Sequence, residues 1–354
     1  MNAGEKTINW LFRDQLQVDE EWSVLSERGF TWWAYQNAQR IEIIDAEETV
    51  PGEPDFFVSI RTEVAEGVEL TPQVLAMLNV RIMPLPAMAG VVYDERARIL
   101  SLCSLVKIHE RIRGWMLPII GTAAALQVSE ASTVWPELAG QLGGRFAVSG
   151  HPRNGLRSTP DEILGVGQTM ASMEGDGCGW EEEEFDEAVA RYMQRPPSLG
   201  ASCGGHGLTV ELPFGRASSL CEFKGDEVHP RWGSGLLILQ RFPVAPMSDE
   251  DGARLALTLN AEELTRRPSG YGFGSFYYQP SKSPKSRGGT MNFTGFLPNV
   301  LHKPGLLPNL YFACTGRAAA MEQRLLGPSE RGGARPGAGS PESALSRLTK
   351  FFGW

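Results

Sequence analysis

The sequence predicts an α+β protein built as two tandem units, each combining helices with an antiparallel sheet. Three observations predict it. The 354 residues are 42% hydrophobic and 21% charged, an ordinary globular balance with enough length for two domains. A strand-then-helix pattern recurs along the chain, and within each recurrence hairpins and helices are segregated rather than alternating singly. The registers of the two copies agree: Arg61 and Arg241 are 180 residues apart, Asn79 and Asn260 are 181 apart. The run 100–106 corresponds to 291–297 at a spacing of 191, and the Pro/Ser/Lys-rich stretch 280–290 reads as the exposed hairpin loop that adds the difference.

Taken in order, residues 9–25 predict a helix, because Leu11, Val18, Trp22 and Leu25 form a stripe at helical spacing. Short strands follow at 30–35, 39–44 and 55–64, with turn residues between them. Thr71 as N-cap and Pro72 as first helical residue start a middle helix that ends near Leu78-Asn79. A hairpin from Gly90 to Val106 leads to a closing helix over 115–131. The second unit repeats the scheme. A helix signal at Thr159-Pro160-Asp161-Glu162 has capping-box spacing, and an opening helix spans 181–194. Strands are expected near 207–212, 218–223 and 232–242. Ser248 then caps a helix with acidic Asp249, Glu250 and Asp251 in its first turn, ending near Leu259-Asn260, and the closing helix covers 306–326.

These elements divide the chain into a first domain, 1–139, a Gly/Pro-rich linker, 140–160, and a second domain, 161–327. Residues 328–340 read as a flexible linker. At 341–354, with Ser340 and Pro341 at the start, Leu345, Leu348, Phe351, Phe352 and Trp354 offer the apolar side of a tethered amphipathic helix. A helix this short is ordered only when docked.

Composition excludes several function classes. A net charge of −9 opposes a phosphate backbone, so nucleic acid is not an expected partner. No run of 18 apolar residues is present, the N-terminal residues lack a secretory pattern, and the five cysteines form no C-x-x-C pair, which together predict a cytoplasmic protein with reduced thiols. No nucleophile elbow or Walker loop occurs, and Gly270-Tyr271-Gly272-Phe273-Gly274-Ser275 leads into a strand rather than a helix, so it reads as close backbone packing. Cys203 and His206, with Cys178, Cys221 and His229 as further ligands, lack structural zinc spacing, and Glu181 to Glu184 read as a solvated helix start. The expectation is a protein without enzymatic activity, metal or other cofactor.

Aromatic residues remain. Core packing is the default for each, yet Trp32, Trp33 and Tyr35 in the first unit, with Trp232, Phe276 and Tyr278 in the second, would suit a surface that binds extended peptides by strand addition.

The duplicated pattern resembles the small chaperones of type III secretion systems and the related YbjN-type proteins, in the tandem arrangement of predicted bacterial conflict components. The resemblance rests on the strand 56–64, Leu78-Asn79, the hairpin from Gly90-Val91-Val92-Tyr93 to Leu105, and the closing helix. In the second half it rests on His229-Pro230-Arg231-Trp232-Gly233-Ser234-Gly235-Leu236, Leu259-Asn260, Gly272-Phe273-Gly274-Ser275, Phe296-Leu297-Pro298-Asn299 and Arg317-Ala318. It implies two chaperone-like folds forming a pseudo-dimer within one monomeric chain, and a chaperone or adaptor that holds a protein partner. The alternative is a regulatory protein whose C-terminal helix docks on a membrane surface or partner complex, the helix being the only expected membrane contact.

Overall fold

The computed structural model describes residues 1–50, 53–85, 88–166, 169, 180–193, 198–204, 206–281 and 288–326. Two antiparallel sheets share one connectivity. The first contains β1 (Ser23–Leu25), β2 (Gly29–Trp33), β3 (Ala38–Val50), β4 (Glu53–Glu66), β5 (Gly90–Asp94) and β6 (Ile99–Ile108) in the order β1-β2-β3-β4-β6-β5, and a short β7 (Arg145–Phe146) joins β4. The second contains β8 (Gly200–Cys203), β9 (Gly207–Phe214), β10 (Ala217–His229), β11 (Gly233–Val244), β12 (Ser275–Gln279) and β13 (Gly289–Pro298). Its order, β12-β13-β11-β10-β9-β8, is the same path from the opposite edge. In each sheet four sequential strands form a meander, and a helical crossover then delivers a hairpin whose second strand pairs with the fourth.

The helices follow their caps. Helix α1 (Ala3–Trp10) starts at a capping box in which Asn2 and Glu5 satisfy each other's backbone N–H, so it begins six residues before the predicted 9–25. The chain then makes a π turn at Leu11–Gln15 and a 3-10 turn at Glu20–Trp22, and residues 23–25 are β1. Helix α2 (Pro72–Met77) begins at its predicted Thr71 cap. Helix α3 (Glu110–Thr133) is longer than expected and is followed by α4 (Trp135–Gln141). The capping-box signal near Thr159 yields only a 3-10 turn, Glu162–Leu164, capped by Asp161. Helix α5 (Glu182–Ala188) precedes a π turn; α6 (Asp249–Thr265) has Ser248 as its cap and extends past Asn260; α7 (Leu306–Leu326) closes the second half. Among the described residues no helix is long and apolar enough to cross a membrane. Residues 341–354, including Leu345, Leu348, Phe351, Phe352 and Trp354, lie outside the described residues.

A single apolar cluster runs through both halves. Their backbones meet where two glycine-containing segments touch: Leu105 and Gly272 exchange N–H···O bonds of 3.3 and 3.2 Å, and a Cβ on Gly90 would lie 2.1 Å from the Gly274 carbonyl oxygen. The close approach read into residues 270–275 is therefore what joins the halves. The segment expected as a linker is also held down: β7 pairs with β4, and Arg157 bridges Asp19 at 3.1 Å and Asp161 at 3.2 Å.

Between each sheet and its closing helix lies a buried polar network. In the first half Trp32 Nε1 donates to Gln39 Oε1, and Gln39 Nε2 donates to Thr62 Oγ1 and to the Ala124 carbonyl. Thr62 passes a hydrogen bond to Gln127, whose Nε2 donates to Ser104 Oγ at 2.8 Å. In the second half Gln240 Nε2 donates to the Cys314 carbonyl at 2.8 Å, and Arg317 donates to Gln240 Oε1, Glu263 Oε1 and the Tyr271 carbonyl. Ser269 donates its N–H and hydroxyl to Glu263 Oε2, and the guanidinium lies 3.6 Å from the Phe293 ring centre. Ala124 and Cys314 are 190 residues apart in sequence, as are Gln127 and Arg317, so corresponding positions of the two closing helices serve the two networks.

Candidate partner-binding edge

The aromatic surface expected from sequence is not present. Trp32, Trp33, Trp232, Phe276 and Tyr278 are all 5% exposed or less, and Tyr35, beyond the end of β2, is half-buried. Strand alternation sends Trp32 toward the closing helix and its Gln39 partner, while Trp33 is covered by a distant loop: its Nε1 donates to Ser149 Oγ and its ring meets His151 edge-on at 5.1 Å. Trp232 stacks on His229, Phe276 packs edge-on against Phe293, and the Tyr278 ring fills the space where Gly252 lacks a Cβ. Trp32, Trp33, Trp232, Phe276 and Tyr278 are packed in the core.

The cysteine–histidine couple also fails to assemble. The Cys203 thiol donates to Asp186 Oδ1 at 2.9 Å, and that carboxylate contact, with lesser burial, pushes the thiol up to about 11, away from nucleophilic thiolate. His206 Nδ1 instead lies 3.1 Å from the Trp180 carbonyl and 3.8 Å from Asp226. Cys221 faces α7 and His229 contacts Leu85, so neither joins Cys203; Cys178 lies outside the described residues. No group of three potential metal ligands occurs among the described residues. Glu184, expected on a solvated face, is half-buried and pairs with His302 at 2.7 Å.

Strand addition needs an edge whose backbone N–H and C=O groups are open. The β12 edge is closed by two asparagines: Asn79 Nδ2 donates to the Tyr278 carbonyl and Asn79 Oδ1 accepts from the Tyr278 N–H, each at 2.7 Å. Asn260 grips Phe276 in the same way, at 3.2 and 2.6 Å. Their 181-residue spacing is legible in the sequence as register, but the role of both carboxamides on one strand is not, because the strand lies far from Asn79 along the chain. The β5 edge is covered by α6, with Leu264 and Ala261 against Val92 and Cys103. The β8 edge runs near the turn Val189–Met193, and its Gly200 and Ser202 are exposed.

Among the described residues the fourth end strand is β1. The Ser26 N–H donates to the Gly29 carbonyl, and alternation from that pair makes Val24 and Thr31 the next hydrogen-bonded pair, directing the N–H and C=O of Ser23 and Leu25 outward. His151 Nε2 reaches the Ser23 carbonyl; its Nδ1 accepts from the Arg153 and Asn154 N–H groups, so Nε2 is the protonated nitrogen. Val24 is 38% exposed and Leu25 68%, and the loop bonded to this strand adds exposed Leu156. Exposed charges of both signs flank it: Glu20, Glu21 and Glu27 with Arg28, Arg40 and Arg153. The site is a short edge with apolar side chains among mixed charges.

Comparison of the chain with known proteins gives no matching family model, no matching curated protein and no matching solved structure.

Proposed function

We propose that this chain is a non-enzymatic chaperone or adaptor that takes an extended segment of a protein partner as an added strand along β1. The observation that carries the reading is the contrast among the four end strands: asparagine carboxamides close β12, a helix covers β5 and β8 exposes only the small Gly200 and Ser202, while β1 offers Leu25's outward backbone groups beside exposed Val24. Main-chain hydrogen bonds would supply affinity, and exposed Val24 and Leu25 would favour a partner segment carrying apolar side chains. The resemblance to secretion chaperones and YbjN-type proteins supports the same class of activity. This surface differs from the aromatic one expected from sequence.

A photo-crosslinking residue at position 24, in cells, tests the proposal, with the same residue at position 228 as control; Val228 is also exposed. The expected result is an adduct with one polypeptide through position 24, abolished by Leu25→Pro, which removes an outward N–H and leaves the Val24–Thr31 pair intact. An adduct indifferent to Leu25→Pro in a folded variant, equal labelling at position 228, or no adduct would overturn it.

A further inference from the structure

The two sheets differ on the face turned away from their closing helices. In the second sheet Gln240 and Cys221 point toward α7, so alternation places Leu220 of β10 and Leu237, Leu239 and Arg241 of β11 on the opposite face. Leu220 lies across from Arg241, and Leu239 across from Glu222. The three leucines are half-buried and stand outside the apolar cluster that runs through both halves. Among the described residues α7 is the helix that packs on β11, and it covers the other side. The charges within the patch, Arg241 and Glu222, answer each other at 2.6 Å.

The first sheet carries a different set at the same places. The pair equivalent to Leu220–Arg241 is Arg40–Arg61, and the pair equivalent to Glu222–Leu239 is Glu42–Ser59. Polar Arg40 and Ser59 thus stand in one half where the other has leucine. A strand face that is apolar where its duplicate is polar is suited to being covered.

The chain itself supplies a cover. Helix α7 ends at Leu326, whose side chain meets Gly215 in the turn between β9 and β10, and Glu322 accepts the Gly215 N–H at 2.7 Å. Leu220 is five residues from that glycine, roughly 17 Å along the strand. A Gly/Pro/Ser-rich connection of the length of 327–340 has a mean reach of roughly 20 Å. Beyond it Leu345, Leu348, Phe351 and Phe352 recur at helical spacing, and a helix over 341–354 is roughly 21 Å long. The outer positions of β11 from Leu237 to Pro243 span roughly 20 Å, so cover and patch agree in reach, length and apolar character.

We propose that residues 341–354 fold back as a helix across this outer face of the second sheet, setting Leu345, Leu348, Phe351 and Phe352 against Leu220, Leu237 and Leu239. The short connection makes docking intramolecular, at an effective concentration that offsets the cost of ordering a helix too short to persist alone. While docked, the apolar side of the tail is withheld from membranes and from other proteins. The contact is independent of the β1 edge and of the partner read into it.

The test uses the full purified chain with benzoylphenylalanine at position 352, irradiated and then analysed by peptide mapping. The expected result is an adduct within 217–224 or 235–243 that runs at monomer size and is unchanged on dilution. Leu220→Arg with Leu239→Ser, which install the residues of positions 40 and 59, should weaken it by about tenfold or more, with an unfolding curve confirming a folded protein. In the unlabelled chain, amide exchange over 344–352 should be slower by about tenfold or more than in the same segment as an isolated peptide, and the double substitution should remove the slowing. Adducts at dimer size would give the tail to a second copy, adducts elsewhere on the chain to another face, and no adduct with unslowed exchange to an external partner or membrane. Each of these overturns the proposal, as does an adduct indifferent to the leucine substitutions in a folded variant.

Discussion

The two halves share a strand order but hold their closing helices by different means. In the first, the contact is a chain of neutral groups running from Trp32 and Gln39 through Thr62 and Gln127 to Ser104. In the second, the same helical position carries Arg317, and its charge is answered by Glu263, which is 0% exposed. Removing one member of a buried neutral network strands its partners at a cost of about 1–3 kcal/mol, whereas removing one partner of a buried ion pair leaves an uncompensated charge at a cost of about 3–5 kcal/mol. One architecture thus tolerates two solutions, and the second half has the more brittle one.

The largest expected effect breaks that comparison directly. Arg317→Met should destabilise the protein by about 3–5 kcal/mol in urea unfolding, because Glu263 is left buried without the guanidinium that satisfies it. Gln127→Leu at the corresponding position should cost about 1–2 kcal/mol. Equal losses would show that the two networks are energetically alike despite their chemistry.

A smaller effect tests the seam between the halves. His229 packs against the Trp232 and Phe296 rings, with Nε2 on the Leu85 carbonyl and Nδ1 accepting from the Arg231 N–H. Burial depresses it to about 4; the Leu85 contact opposes that depression and the Arg231 charge adds to it. The native protein therefore keeps this imidazole neutral where the unfolded chain takes a proton. Its contribution is constant above pH 6.5 and is lost as pH falls from 6.5 to about 4, a decrease of about 3 kcal/mol. In His229→Gln the pH dependence over that window should be shallower; an unchanged slope would remove the histidine from the account. Asn79→Ala, which strands the Tyr278 N–H and C=O, should cost about 2 kcal/mol, measured by chemical denaturation.

Much of the fold is legible because its signals are local. Thr71-Pro72 and Ser248 with three acidic residues each mark a helix start within four positions, and both helices begin there. The first helix is misplaced for a reason of the same kind: a stripe from Leu11 to Leu25 outweighs the Asn2–Glu5 capping box that in fact sets its start. The aromatic residues are illegible in a different sense. Whether Trp33 is covered depends on Ser149 and His151, more than a hundred residues away, and side-chain character carries no record of what lies on top of it. The same applies to Glu263 and Gln240, isolated polar residues in apolar stretches that find their partners only once the sheet and closing helix meet.

The grip of Asn79 on Tyr278 also sets a timetable for synthesis. Its partner lies 199 residues downstream, so at ribosomal elongation rates the side chain waits roughly 10–40 s for the strand it holds. Helix α2 and the β5 edge, which the second half covers, spend that interval open to solvent and to other nascent chains. A fold whose halves have matching strand orders thus leaves its earlier half waiting on its later one, and the period of greatest risk in its life is the one before the second sheet exists.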